Sequence, residues 1–135
     1  MMAAILIVDD SVTQNACMQL LLGSTGHHVI CVTSINEARI FCERNPVELS
    51  LVELLLFENN GFEIAPELQK ITGAPVVLML SRLLEADVIW AGAQGISNFL
   101  YRPCTPETRL ELVAGLVPRK TLPRISRADQ QETLP

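Results

Sequence analysis

The sequence predicts an α/β fold in which a five-stranded parallel sheet is doubly wound, with helices on both of its faces. Strand-like apolar runs alternate five times with helix-like spacings along residues 1–117, a pattern typical of strands joined by right-handed helical crossovers. The first run, Ile5–Val8, is entirely aliphatic, as expected of a strand buried on both faces. It leads into Asp9 and Asp10, so two carboxylates lie where open α/β sheets bind ligands.

Helix-capping residues indicate where several of the helices begin. Ser11 is a suitable N-cap for the first helix, and Ser34 with Glu37 three residues later forms a capping box for the second. Thr105 precedes Pro106 at the fifth helix, and proline is favoured in a first helical turn. The helices are predicted at Val12–Thr25, 35–45, Phe62–Thr72, Leu84–Gln94 and 106–117.

Glycine and proline residues separate the strands from these helices. Gly26 is suited to end the first helix, and Pro46 and Pro118 end the second and fifth. Residues 118–135 are rich in proline and poor in large apolar residues, so we expect a flexible tail after a single domain at 1–117. Besides the first run, strands are predicted at His28–Val32, Leu49–Leu56, Pro75–Leu80 and Ile96–Tyr101.

Composition narrows the class of protein. The 135 residues are 49% hydrophobic and 19% charged, which is typical of one globular domain. The net charge of −5 gives no reason to expect nucleic-acid binding. Neither a signal peptide nor an apolar run long enough for membrane insertion is visible, and the four cysteines lack CxxC spacing. We therefore expect a cytoplasmic protein with reduced thiols.

Several motifs in register resemble the receiver domain of two-component response regulators. They are Ile-Leu-Ile-Val-Asp-Asp-Ser at 5–11, Leu-Leu-Leu-(x)4-Gly-Phe-Glu at 54–63, Pro-Val-Val-Leu-Met-Leu-Ser at 75–81, and Phe-Leu-Tyr-Arg-Pro at 99–103 before a Thr-Pro-Glu helix start. The resemblance implies the (βα)5 flavodoxin-like receiver fold. It also implies a pocket that transfers a phosphoryl group from phosphohistidine to an aspartate, with Mg²⁺ held by the acidic pair and the acceptor.

The acceptor position departs from the family pattern. Counting back eight residues from Gly61, the aligned position of the phosphoacceptor aspartate is Glu53. Its extra methylene displaces the carboxylate by roughly 1.5 Å, and a misplacement of about 1 Å can cost around 100-fold in rate. Mg²⁺ demands near-ideal octahedral ligands, here Asp9, Asp10, Glu53 and the carbonyl of Leu55. We expect weak Mg²⁺ binding at most, no required cofactor and no enzymatic activity.

The residue before Pro103 also departs from the family pattern, because Arg102 occupies the position where the family has a lysine. The degenerate pocket implied by the resemblance is Asp9, Asp10, Glu53, Ser81 and Arg102. Two interpretations stay open. In the first, Glu53 and Arg102 form a built-in ion pair in which the acid extends toward the position of a phosphoryl group. In the second, the pocket has drifted because phosphorylation is no longer used. A separate hypothesis is that Glu53 acts as an acidic mimic, although one carboxylate carries less charge than phosphoaspartate.

The resemblance also assigns an output face. Ser81 and Phe99 occupy the family's switch positions, and the implied output face is the fourth helix, fifth strand and fifth helix, which includes Trp90 and Tyr101. The segment Trp90–Gly95 is similar to stand-alone receivers of the chemotaxis-like system for type IV pilus twitching motility. The alternative for Trp90 is a partly buried aromatic residue on an interaction face.

The preferred hypothesis is a single-domain, atypical response regulator that binds a protein partner without conventional aspartate phosphorylation. That partner is a signalling or motility component, such as a histidine kinase. One alternative is a working phosphate sink for a kinase, and another is a dimeric scaffold subunit. Neither nucleic acid nor a membrane is expected as a partner.

Overall fold

The computed structural model describes residues 3–56, 60–81 and 85–117. Strands and helices alternate throughout these residues. The predicted tail at 118–135 lies outside them, so the boundary of the domain stays a prediction. The strands are β1 (Ala4–Val8), β2 (His28–Val32), β3 (Leu49–Glu53), β4 (Val76–Leu80) and β5 (Asn98–Tyr101). The helices are α1 (Val12–Gly23), α2 (Ile35–Arg44), α3 (Gly61–Thr72), α4 (Glu85–Ala93) and α5 (Pro106–Leu116).

The strands form one parallel sheet in the order β2-β1-β3-β4-β5. This order confirms the doubly wound flavodoxin-like fold. The three central strands are buried almost throughout, in keeping with the continuous apolar sequences of β1 and β4. The register pairs Val8 with Val52 and Glu53 with Met79. The carboxyl ends of β1, β3 and β4 therefore meet at one edge of the sheet.

Two hydrophobic clusters cover the two faces of the sheet. Leu6 and Val8 of β1 point into a cluster with α2, α3 and Ala91 of α4. Ile5 and Ile7, which alternate with them, point into a cluster with α1 and α5. Because successive side chains of a strand face opposite ways, the aliphatic β1 contributes to both clusters and joins them.

Some boundaries differ from the predicted ones. β3 ends at Glu53 rather than Leu56, because the Glu53 side chain accepts a hydrogen bond from the Leu55 N–H and turns the chain. α1 ends at Gly23, before Thr25. The hydroxyl of Thr25 instead donates to the Leu22 carbonyl, which satisfies one of the last helical acceptors. Within the described ranges, no helix is both long and apolar enough to span a membrane.

Ser50 provides a test of the packing around β3. It is fully buried, and its hydroxyl has no hydrogen-bond partner within the described part of the chain. A buried hydroxyl without a partner costs free energy, so we expect Ser50→Ala to raise the free energy of unfolding by about 1 kcal/mol, as measured by urea denaturation. The control is Ser24→Ala, which removes an exposed hydroxyl that donates to the Leu21 carbonyl and should not stabilise. A Ser50→Ala protein less stable than the parent would contradict the expectation.

Candidate functional site

A cleft of about 640 Å³ opens at the carboxyl ends of the central strands. It gathers all five residues of the predicted pocket, because the chain leaves β1, β3, β4 and β5 at the same edge of the sheet. Trp90, Phe99 and Tyr101 are not among the residues that line it. The lining residues are Asp9, Asp10, Ser11, Gln14, Glu53, Leu55, Ser81, Arg102, Pro103, Cys104 and Arg109.

Asp9 is the buried member of the acidic pair, with 2% of its surface exposed. Its Oδ1 accepts a hydrogen bond of 2.9 Å from the Ser11 N–H, and its main-chain carbonyl accepts one of 2.8 Å from Asn15 Nδ2. Burial raises the pKa of the Asp9 carboxyl, and the nearby charge of Glu53 raises it further. Asp10 is half-buried beside it. The ionised cluster is therefore costly without a compensating cation.

Arg102 supplies positive charge to this cluster. Its guanidinium NH2 forms an ion pair with Glu53 Oε1, and the two side chains are largely buried. The second oxygen, Oε2, accepts a hydrogen bond of 3.0 Å from the Leu55 N–H. Both carboxylate oxygens of Glu53 thus have a donor, as buried charged groups require. The geometry agrees with the built-in ion pair suggested by the sequence.

The main chain around Glu53 is held by a close approach of α3. The Gly61 N–H donates to the Leu54 carbonyl at 2.7 Å, and Leu55 forms an isolated antiparallel bridge with Asn60. A Cβ at Gly61 would lie 2.4 Å from the Glu53 carbonyl oxygen. Only glycine fits there without a shift of the backbone. The start of α3 therefore fixes the position from which the Glu53 side chain extends.

The receiver family implies a Mg²⁺ ion at the positions of Asp9, Asp10, Glu53 and the Leu55 carbonyl. The geometry does not fit that arrangement, because Glu53 already directs its two oxygens to Arg102 and the Leu55 N–H. Among residues 3–56, 60–81 and 85–117, no group of three or more carboxylate, histidine or cysteine side chains could hold a metal ion. In this geometry the guanidinium, a fixed cation, balances the carboxylate.

The residues of the predicted switch and output face are distributed around the edge of the sheet near β5. Ser81 follows β4 and is exposed to the cleft, whereas Phe99 is half-buried and packs on the cluster beneath α2, α3 and α4. Tyr101 is half-exposed, with its ring centroid 6.4 Å from that of Phe99. Trp90 is also partly exposed and contacts Phe62 of α3 edge to face at 5.1 Å, a contact that the sequence did not indicate.

The sequence also did not indicate Arg109 and Cys104 as part of the cleft. Arg109 lies one turn into α5 and its Nε donates to Cys104 Sγ at 3.3 Å, while NH1 lies 3.9 Å from Met18 Sδ. The sequence signal that could have located Arg109 is the N-cap Thr105, because a helix that begins there places Arg109 near its first turn, beside the strand ends. These residues bring a second guanidinium to the rim of the acidic cleft.

Comparison with known proteins identifies the family. The sequence matches the response regulator receiver domain over residues 5–114. The chain therefore belongs to the receiver-domain family of two-component signalling. It is 28% identical to Protein PilH of Pseudomonas aeruginosa, across 86% of this chain and 98% of PilH. It is 24% identical to the probable transcriptional regulator ycf27 of Porphyridium aerugineum, but it spans only 52% of that protein against 97% of its own length.

Solved structures show the same fold. The chemotaxis protein CheY4 of Vibrio cholerae aligns with a TM-score of 0.81 over 87% of this chain and all of that chain, at 20% identity. A receiver domain from Clostridium thermocellum aligns with a TM-score of 0.77 over 88% of this chain and 97% of that chain, at 26% identity. Both alignments extend over most of the chain and support the same overall fold.

The raised pKa of Asp9 predicts a pH-dependent change in stability. A carboxyl group with a higher pKa in the folded than in the unfolded state binds more protons when the protein is folded. Stability therefore falls as the pH rises above 3.8, the ordinary pKa of the aspartate carboxyl. We expect Asp9→Asn to be more stable than the parent at pH 7, because the amide can still accept the Ser11 hydrogen bond. The difference should shrink as the pH falls through 4. Urea midpoints across this range measure it, and a parent that is more stable at pH 7 would refute the cost of ionised Asp9.

Removal of Arg102 should reveal how much the ion pair contributes. Arg102→Ala leaves the buried Glu53 carboxylate without its guanidinium, so we expect a loss of about 3 kcal/mol in the free energy of unfolding. Glu53→Gln in the same protein should recover part of that loss, since the amide needs no counter-charge and still accepts the Leu55 N–H. A double-mutant cycle by urea denaturation measures the coupling, and additive effects would show that the pair contributes nothing.

Proposed function

We propose that this receiver-domain protein acts in signal transduction by binding a protein partner, without phosphorylation of an aspartate. The observation that carries the proposal is the state of the acceptor position. Glu53 replaces aspartate there, and its two oxygens are engaged by Arg102 and by the Leu55 N–H. Such a carboxylate serves as a structural partner of a cation rather than as a nucleophile.

The chemistry of phosphoryl transfer explains why this matters. Catalysis in such a pocket consists mainly of positioning an attacking oxygen in line and neutralising charge. A guanidinium bound to the attacking carboxylate lowers its nucleophilicity, and the longer side chain moves the oxygens from the position that aspartate would give them. Asp9 is a poor substitute, because its carboxylate is buried and oriented by Ser11. The pocket therefore favours a fixed arrangement over a phosphorylation cycle, so no enzymatic activity and no cofactor is proposed.

The proposed contact surface is the edge formed by α4 and β5. Val88, Ile89 and Trp90 of α4 are exposed, and Tyr101 of the edge strand β5 is half-exposed. Exposed apolar side chains in a group mark interaction sites. We place the partner among cytoplasmic signalling or motility proteins of the type IV pilus chemotaxis-like system. The segment Trp90–Gly95 and the similarity to PilH over nearly the whole of both chains support this assignment.

Incubation with acetyl phosphate and Mg²⁺ tests the proposal. We expect no phosphoprotein on a phosphate-affinity gel for the parent chain. Glu53→Asp is the matched control, because it restores the shorter carboxylate and shortens its reach toward Arg102. That variant should gain a phosphoprotein band if position 53 alone decides the outcome.

Beryllofluoride provides a second readout through Trp90, the single tryptophan of the chain. Its fluorescence should stay unchanged in the parent protein and is expected to shift in Glu53→Asp. A labelled parent protein, or loss of label from a phosphorylated histidine kinase on its addition, would instead support the phosphate-sink alternative.

A further inference from the structure

The face formed by α1 and β2 is free of charged side chains. No Asp, Glu, Lys or Arg occurs between Asp10 and Glu37, a stretch that includes all of α1 and β2. By contrast, residues 1–117 as a whole hold 13 Asp and Glu against 6 Lys and Arg. Helices at a protein surface usually carry charged residues on their outer side. An uncharged surface on an acidic domain is therefore a feature that requires an explanation.

The outer side of α1 is also apolar. Val12 and Leu20 are 79% and 77% exposed, the highest values among the large apolar side chains of the described residues. Ala16 lies between them and is exposed. Residues four apart form one stripe along a helix, so Val12, Ala16 and Leu20 make a continuous apolar stripe. The polar Asn15 is buried on the inner side, the reverse of the usual distribution.

Contacts of α1 show which way this stripe faces. Gln19 lies seven residues after Val12, on nearly the same side of the helix, and its Oε1 is 3.9 Å from Cys31 Sγ of β2. On the other side of α1, Met18 Sδ is 3.9 Å from NH1 of Arg109 in α5. The stripe therefore lies on the outer side of α1, nearer to β2 than to α5.

β2 offers backbone groups at that edge. Within the described residues β1 is its single strand neighbour. The His28 N–H donates to the Ala3 carbonyl and the Asp9 N–H to the Val32 carbonyl. In a parallel pair alternate residues bond to the neighbour, so the N–H and C=O groups of Val29 and Cys31 point outward. Proteins commonly protect such edges with charged residues or proline, and His28–Val32 contains neither.

We infer that a second copy of this chain binds here, with β2 pairing antiparallel to its own copy across a twofold axis and the two α1 stripes in contact. A twofold axis places each surface against itself, so any charge in the surface would meet the same charge. The uncharged α1–β2 face avoids that repulsion, whereas the acidic remainder of the domain does not. A standard protein–protein interface buries roughly 800 Å² of accessible surface on each partner. That area is about a tenth of the 7615 Å² accessible surface of this chain.

Sedimentation velocity of the full chain from about 1 to 500 µM tests the inference. We expect the mass to rise toward that of a dimer with concentration. Ala16→Glu should weaken the dimer by at least about tenfold in Kd, because the twofold brings two new carboxylates together. Cys17→Glu is the matched control. It adds the same charge at the next exposed residue of α1, on the side toward α5, and should leave the Kd within about twofold.

Hydrogen exchange supplies an independent measurement on the unmodified chain. The amides of Val29 and Cys31 should exchange more slowly at high than at low protein concentration, since pairing gives them acceptors. A monomer at all concentrations would overturn the inference. So would a dimer that Ala16→Glu and Cys17→Glu weaken equally, or one that leaves these two amides unprotected, because the contact would then lie on another surface.

Discussion

Charge balance at the carboxyl end of the sheet is the constraint on which the rest of the site depends. The parallel topology brings the ends of β1 and β3 together, and with them Asp9, Asp10 and Glu53. Burial raises the cost of the ionised state, as the direction of the Asp9 pKa shows. The fold can carry this cluster only with a cation nearby. Arg102, directly after β5, provides one that is covalently part of the chain.

The identity of that cation has consequences for function. A divalent ion can dissociate, and a phosphoryl group can be added to a carboxylate and removed again. A pocket that uses these two groups can therefore change state. A guanidinium cannot leave, and it is fixed by the backbone after β5. The close contact between Gly61 and the Glu53 carbonyl holds the other side of the pair. The fixed positions of Arg102 and of Glu53 favour one arrangement of the cleft. This supports the proposal that the protein acts by binding a partner.

The fold was predictable because its signals are local and repeated. Aliphatic runs and the capping residues Ser11, Ser34 and Thr105 agree with the described structure, and each of these three residues accepts the expected backbone hydrogen bond. The predicted end of the first helix at Gly26 was wrong, because α1 ends at Gly23 with Ser24 as its C-cap. The residues of the cleft were predictable because they follow strands. The Phe62–Trp90 contact and Arg109 were not, because each depends on how two helices pack or how a helix is rotated. The end of β3 was missed because a side chain of the site, Glu53, decides it.

The two surfaces proposed for binding lie at opposite edges of the sheet. β5 forms one edge of the sheet, and β2, which α1 contacts, forms the other. Three central strands separate them, so a contact between two copies at β2 would leave both α4–β5 surfaces open. Such a dimer would present two identical partner sites. A partner that carries two matching binding segments would bind with higher overall affinity, because the two contacts are linked, without any new contact. Self-association and partner binding are therefore compatible in this fold, and the strand order is what makes them so.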